Sequence, residues 1–211
     1  NSKGEFILFL NNDTWVKEDF LQKYIAYFKR HQIDILSARE ARYSGEAYPY
    51  YVSKIDLFGH PIYLFGDKHK NQESFYLSGS CLFFARSLYE ETRGLDQDFF
   101  MYFEEIDWFW RLHLLRKSIG YIDEVCVYHA GAGSTGSGIK YKSFLWRNQN
   151  TLQMLLKNYA WYNLLWVLPV YFVQNIFEIL AFLIFLKPKI AWSYVEGWWF
   201  NVKNLKRTLE K

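Results

Sequence analysis

The stretch GEFILFLNNDT, from Gly4 to Thr14, decides the fold class. Residues 6–10 are five consecutive apolar side chains without alternation, a pattern typical of a strand covered by helices on both faces. In the polar turn that follows, Asp13 or Thr14 is expected to cap a helix over residues 20–28. Because a central strand opens the chain, we expect the sequence to begin inside a fold, as a fragment or a processed product.

Further strands are predicted over residues 34–38, 82–85 and 122–129, and a helix is predicted over residues 103–117. Strands that alternate with helices indicate an α/β fold, with helices packed on a mainly parallel sheet. Residues 40–76 combine scattered glycine, tyrosine and charged residues, and they show no regular pattern.

The composition excludes a disordered or disulfide-rich protein, because 51% of the 211 residues are hydrophobic and only two are cysteine. Aromatic residues make up 21% of the chain. The net charge is +3, and the basic excess lies in residues 151–211, which are also the most apolar part. A stretch that is both basic and apolar favours a membrane surface as its partner and disfavours nucleic acid.

Residues 158–177 contain no charge, and residues 179–186 continue the apolar run. About 20 apolar residues are enough to span a bilayer. Pro169, Gln174 and Glu178 oppose a simple span, so we expect helices that lie in one leaflet or dip into it, anchored by tryptophan and basic side chains. The alternative is a buried helical core or an oligomer interface.

Three groups of side chains with metal-binding or acid–base chemistry end elements of the α/β part. Asp13 follows the first strand, His129 ends the last one, and Glu104, Glu105 and Asp107 crowd the first turn of a helix. Each has a structural explanation when taken singly, such as a helix cap or a favourable charge at a helix terminus. Together they predict a carboxylate and an imidazole that share a divalent cation near a diphosphate.

Glu105 follows a cluster of aromatic residues and is expected to be partly desolvated, which would raise its pKa and suit a general base. Residues 131–136, GAGSTG, match G-x-G-x-x-G, but no acidic residue occurs between Glu124 and Glu178, so the dinucleotide fingerprint is incomplete. We expect a lid there, whose backbone N–H groups meet phosphate oxygens.

The motifs together resemble the family 2 glycosyltransferases of the GT-A fold, of the rhamnosyltransferase and galactofuranosyltransferase kind. The resemblance covers essentially the whole chain and is carried by the order and spacing of five segments. These are GEFILFLNNDT (4–14), LSGSCLFF (77–84), GLDQDFF (94–100), YFEEIDWFWR (102–111), and VYH (127–129) with the glycine and serine residues after it.

The resemblance implies a role for individual residues. Asp13 and His129 would bind a divalent cation, Mg²⁺ or Mn²⁺, on the sugar-nucleotide diphosphate, and Glu105 would deprotonate the acceptor hydroxyl. The donor and acceptor site would be lined by Asn11, Asn12, Gly79, Ser80, Glu104 and Asp107. Asn11 stands where the family's DxD motif usually has its first acid, which leaves one anionic ligand fewer. The family's amino-terminal half, which holds the nucleoside, would precede this chain.

The sequence therefore predicts a partial GT-A, Rossmann-like sheet with helices over residues 1–150, followed by apolar membrane-associated helices over residues 151–211. The predicted function is inverting transfer of a sugar from a nucleotide-diphosphate sugar to a glycan or lipid-linked acceptor, at the cytoplasmic face of the cell membrane, in surface polysaccharide synthesis. One alternative is a non-catalytic membrane-bound fragment that cannot hold donor. Another is a nucleotidyltransferase of similar fold, which the lack of a basic glycine-rich loop disfavours.

Overall fold

The computed structural model describes residues 3–66, 73–130 and 140–211, and within them it shows seven strands and six helices. The predicted α/β class, with an apolar helix towards the carboxyl end, is confirmed. The strands are β1 (Phe6–Leu10), β2 (Thr14–Val16), β3 (Ile35–Ala41), β4 (Tyr50–Ile55), β5 (Pro61–Phe65), β6 (Cys81–Ala85) and β7 (Ile119–His129). The helices are α1 (Phe20–His31), α2 (Arg86–Thr92), α3 (Glu104–Leu114), α4 (Tyr141–Asn158), α5 (Trp161–Ile184) and α6 (Pro188–Leu209).

Five strands form the main sheet, in the order β1-β6-β3-β7-β2. Only the pairing of β3 with β7 is parallel among these described strands; β1 with β6, β3 with β6, and β2 with β7 run antiparallel. The expectation of a mainly parallel sheet is therefore wrong. Its basis was the alternation of strands and helices, which indicates helical crossovers but does not fix which strands become neighbours.

Two local expectations about the first half of the chain are also corrected. Residues 14–16 pair with β7 as a short strand, and α1 begins only at Phe20, so neither Asp13 nor Thr14 caps that helix. Within residues 40–76, strands β4 and β5 form a separate two-stranded sheet. The Asp56 carboxylate accepts hydrogen bonds from the N–H groups of Phe58 and His60 and closes the turn between these strands.

The chain divides into two compact units. The first comprises Asn1–Lys54, Ile62–Leu95 and Trp108–Ser137, and the second comprises Ile55–Pro61, Asp96–Asp107 and Gly138–Lys211. The boundary placed at residue 150 from composition stays a prediction.

The core of the first unit forms where α1 packs on the sheet. Phe20 and Tyr24, one helical turn apart, are buried against Leu36 of β3, Phe83 of β6 and Val127 of β7. The same packing explains the buried Cys81, whose Sγ lies 3.6 Å from the Tyr24 hydroxyl oxygen. This helix fixes β6, β3 and β7 side by side, and those strands carry the polar groups described below.

In the second unit α4 and α6 pack closely. A Cβ atom at Gly197 of α6 would lie 2.9 Å from the Asn148 Cβ, so only glycine permits the helices to approach this far. Around it, Asn148 donates a hydrogen bond to the Ser193 hydroxyl at 3.0 Å, and Asn201 donates one to the Gln149 carbonyl at 2.9 Å.

Helix α5 is long and apolar but poorly covered by protein. Only Val167, Tyr171 and Asn175 are buried, while Leu165 and Phe177 are 70% and 67% exposed. Among the described residues, α5 is the one helix whose length and composition would allow it to cross a membrane.

Candidate functional site

The antiparallel pairing of β2 with β7 brings Asp13 next to His129. Thr14 lies opposite His129 in this register, and the Ala130 N–H donates a hydrogen bond to the Asp13 carbonyl at 3.0 Å. As a result, the Asp13 Oδ1 atom lies 3.3 Å from the His129 Nε2 atom, although the two residues are far apart in sequence. The two predicted metal ligands are thus neighbours.

Glu40 of β3 completes what we call the histidine cluster: Asp13, Glu40, Ser80 and His129. The Glu40 Oε2 atom lies 3.5 Å from the His129 Nδ1 atom, on the side of the imidazole away from Asp13. The Ser80 hydroxyl donates a hydrogen bond to the other oxygen of Glu40, and both residues are buried. Hydrogen bonding to Glu40, together with the charge on Asp13, raises the pKa of His129 above its ordinary value.

An irregular stretch of β7 brings His129 to within two residues of the level of Glu40. Ala38 lies opposite Ile122, but Glu40 lies opposite Val127, so two residues along β3 span five along β7. This bulged register brings the end of β7 back alongside Glu40.

The turn Asn11–Thr14 connects the histidine cluster with the serine-containing turn before β6. The Asn11 N–H donates a hydrogen bond to the Ser80 carbonyl at 2.9 Å, and the Thr14 hydroxyl donates one to the Asn11 carbonyl at 2.6 Å. Asn12 is exposed in this turn, and Gly79 directly precedes Ser80. The structure therefore brings together most of the predicted site residues of the first unit.

A small cavity is lined in part by residues 37–40 of β3. Beside Glu40 its lining is largely hydroxyl-bearing and includes Ser37, Tyr48, Ser53, Ser74, Tyr76 and Ser78. Groups of this kind can donate and accept hydrogen bonds with a sugar or with water.

In the second unit, Glu104 and Glu105 occupy the first turn of α3, as predicted. The Glu104 Oε2 atom is buried and has no hydrogen-bond partner. Burial raises the pKa of Glu105 to about 7, and the negative charge of Glu104 adds to the effect. Burial likewise raises the pKa of Glu104. The pair thus contains a carboxyl group that exchanges its proton near neutral pH.

Asp107 differs from the glutamate pair, since it is fully buried and its oxygens are bonded to protein. Its two oxygens lie 2.9 Å from the Lys157 Nζ atom and 2.9 Å from the Asn158 Nδ2 atom. These are the contacts of a structural residue. A direct part in a sugar site stays a prediction for Asp107.

The sequence missed Glu40, and the predicted lid at residues 131–136 lies outside the described residues. The one signal for Glu40 was an acidic residue inside the otherwise largely apolar strand ILSAREA. A buried carboxylate needs a partner, and that partner comes from a strand remote in sequence.

The donor chemistry of the histidine cluster fits a Mg²⁺ or Mn²⁺ ion. The carboxylate of Asp13 and, once its proton is displaced, the Nε2 atom of His129 could serve as ligands, and such ions take their remaining ligands from water and substrate phosphates. Glu40 would hold the other nitrogen of the imidazole, as outer carboxylates commonly do for metal-bound histidine. No group of three or more acidic, histidine or cysteine side chains in metal-binding geometry is found in the described part of the chain.

Comparisons with known proteins find a family match in the first part of the chain. Residues 1–93 match the family model for glycosyl transferase family 2. No curated protein matches the sequence.

The chain is also similar to solved structures of TarS from S. aureus. Residues 1–349 of TarS in complex with UDP-GlcNAc are 15% identical, with a TM-score of 0.49 over 75% of this chain and 45% of that one. A second structure of residues 1–349 is 12% identical, with a TM-score of 0.45 over 98% and 68% of the two chains. This chain thus covers about half of the first of these structures.

Proposed function

We propose that the chain takes part in inverting transfer of a sugar from a nucleotide-diphosphate sugar, and the match of residues 1–93 to the family model for glycosyl transferase family 2 supports this. The acceptor would be a hydroxyl group of a glycan or lipid-linked molecule in surface polysaccharide synthesis. The observation that carries the proposal is the distance of 3.3 Å between the Asp13 Oδ1 atom and the His129 Nε2 atom. Asp13 lies within the residues that the family model matches. Such a pair would give a leaving diphosphate a place for its counterion.

Asp13 and His129 would hold a divalent cation through the carboxylate and the Nε2 atom. When bound, such a cation supplies positive charge that neutralises the leaving diphosphate. Glu40 orients the imidazole through the Nδ1 atom, and Ser80 in turn binds Glu40. Asn11 and Asn12 would contribute amide groups rather than charge, so Asp13 is the one carboxylate that the turn Asn11–Thr14 would offer to the cation.

Glu105 would be the base that removes the proton from the acceptor hydroxyl. A base works best when its pKa lies near the operating pH, and the pKa of Glu105 is about 7. The unpartnered Oε2 atom of Glu104 offers an acceptor for a hydroxyl of the bound sugar.

The exposed apolar side of α5 supports a membrane surface as a further partner, and the proposal takes this surface to be the cytoplasmic face of the cell membrane. Trp161, Leu165 and Phe177 are exposed along this helix, and Lys187 and Lys189 follow it. Apolar and aromatic side chains enter the interface while nearby basic residues attract anionic lipids. A lipid-linked acceptor would then be delivered in the plane where the enzyme sits.

A transfer assay with the full-length protein tests the proposal. A panel of nucleotide-diphosphate sugars that includes UDP-GlcNAc is incubated with Mn²⁺ and membrane extracts, and the anomeric configuration of the product is read by NMR. We expect Glu105→Gln to lose at least about a hundredfold in rate, while the exposed-surface control Glu91→Gln keeps its activity. Equal rates for these two variants would exclude Glu105 as the base.

Donor binding is measured separately by calorimetry. Glu105→Gln should still bind the donor that wild type uses, because the base acts on the acceptor. Binding without transfer in every tested condition, by wild type as well, would favour the non-catalytic alternative.

A further inference from the structure

Two successive residues with left-handed backbone conformation precede the glutamate pair. Tyr102 has φ of 71° and Phe103 has φ of 67°, and Glu104 then begins α3. Bulky side chains rarely adopt this conformation, and it persists only where the surrounding structure imposes it. The contacts that impose it therefore act directly beside Glu104 and Glu105.

One face of α4 contacts Met101 and Tyr102, at the left-handed turn. The Asn150 side-chain amide donates hydrogen bonds of 2.9 Å to both the Met101 and Tyr102 carbonyls. The Arg147 guanidinium lies 4.8 Å from the centre of the Tyr102 ring. The Tyr102 hydroxyl donates to the Ser143 hydroxyl at 3.2 Å. Residues 143, 147 and 150 follow helical spacing, so a single stripe of α4 holds the turn.

The carboxyl end of α4 binds residues on both sides of the glutamate pair. The Lys157 Nζ atom lies 2.7 Å from an Asp96 oxygen and 2.9 Å from an Asp107 oxygen. Asn158 binds the second oxygen of Asp107. Residues 96–107 are thus attached to α4 before, at and after the left-handed turn.

We propose that Asn150 is a positioning residue, which fixes the left-handed turn at Tyr102 and Phe103 and thereby the orientation of Glu104 and Glu105. This rests on the proposed function, because the orientation matters only if Glu105 acts on an acceptor. Asn150 is 3% exposed and acts through the backbone carbonyls, without touching a substrate itself. An error of about 1 Å in the placement of a reacting group can cost about a hundredfold in rate.

The test compares Asn150→Ala with the matched control Asn204→Ala, since Asn204 also donates from a helix, to the Phe200 carbonyl at 2.8 Å. We expect Asn150→Ala to reduce kcat at least tenfold while the donor KM changes less than about twofold. The midpoint of the pH profile should fall below about 7, because a loosened turn admits water to Glu105. Asn204→Ala should change neither quantity.

Hydrogen exchange of the amides of residues 101–107 gives a readout that does not depend on activity. We expect faster exchange there in Asn150→Ala and unchanged exchange in Asn204→Ala. If wild type shows no transfer, the proposed function fails, and exchange alone still decides whether Asn150 holds the turn.

If Asn150→Ala does not fold, Ser143→Ala is the second test variant, because it removes only the hydroxyl group that accepts a hydrogen bond from Tyr102. We expect a smaller change in the same direction, at least twofold in kcat, together with faster exchange of the Tyr102 and Phe103 amides. A folded Asn150 or Ser143 variant with wild-type exchange, or with wild-type kcat and pH midpoint, would overturn the proposal.

Discussion

Replacing Lys157 with methionine tests the most heavily buried charges of the second unit. The Lys157 side chain is 4% exposed, and the Asp96 and Asp107 side chains that it binds are 8% and 0% exposed. Methionine preserves the length of the side chain but leaves buried carboxylates without this cation. Removing one partner of a buried ion pair costs about 3–5 kcal/mol. For a chain of this size, that loss corresponds to a fall in Tm of roughly 6–20 °C.

The pH dependence follows from Asp96. Burial alone would raise the pKa of Asp96, but hydrogen bonds from Lys157 and Lys211 outweigh it and hold this pKa well below its ordinary value. The stabilisation is therefore complete above the pKa of the unfolded carboxyl, about 4, and is lost as the pH falls further. We expect the difference between wild type and Lys157→Met to be largest at neutral pH and to shrink in acid.

Thermal unfolding followed by circular dichroism measures the effect, with Lys206→Met as the matched control. Lys206 is 92% exposed and lies 3.9 Å from Glu210, so its loss should change the free energy of unfolding by less than about 0.5 kcal/mol. The reasoning is refuted if both variants unfold at the same temperature at pH 7.

Three further predictions concern the site and the apolar helix. The transfer rate of wild type should fall as the pH drops below about 7, because Glu105 becomes protonated. At pH 8 the free energy of unfolding of Glu105→Gln should exceed that of wild type by about 1–3 kcal/mol, because the substitution removes a buried charge. A lower free energy of unfolding for the variant would contradict this. Asp13→Asn should weaken Mn²⁺ binding at least about tenfold by calorimetry, and unchanged affinity would remove Asp13 from the cation site. Leu180→Lys should weaken binding to anionic vesicles, measured by flotation, about a hundredfold. Leu114→Lys replaces another exposed helical leucine, outside α5, and should leave vesicle binding unchanged. An equal loss in both variants, or no loss in either, would argue against a lipid-facing α5.

Local patterns were sufficient for the elements with strong periodicity. The apolar run of β1 and the helical spacing of Phe20 and Tyr24 identified both elements, because each depends on its own side chains. The clustering of Glu104 and Glu105 in one helical turn was equally local, and the spacing along α3 was enough to place them together.

Features that depend on distant partners were missed. The three residues of β2 are of types that favour strands, but three residues are too few to form a recognisable strand pattern, and their pairing with β7 gives them a regular conformation. Glu40 was overlooked for the same reason, since its role depends on His129, at the end of β7, and on Ser80, in the turn before β6. The conformation of Tyr102 and Phe103 contradicts their intrinsic preference and follows from contacts with α4.

The extra residues of β7 make its register a determinant of chemistry as well as of shape. If the same residues of β7 paired with β3 in step, without the bulge, Val127 and His129 would lie three residues farther along β3, about 10 Å from their present position, at about 3.3 Å for each residue. The imidazole would then no longer have the Glu40 carboxylate behind it. Loss of the bulge at constant strand length is therefore a way to silence the proposed cation site while every side chain that forms it remains in the chain.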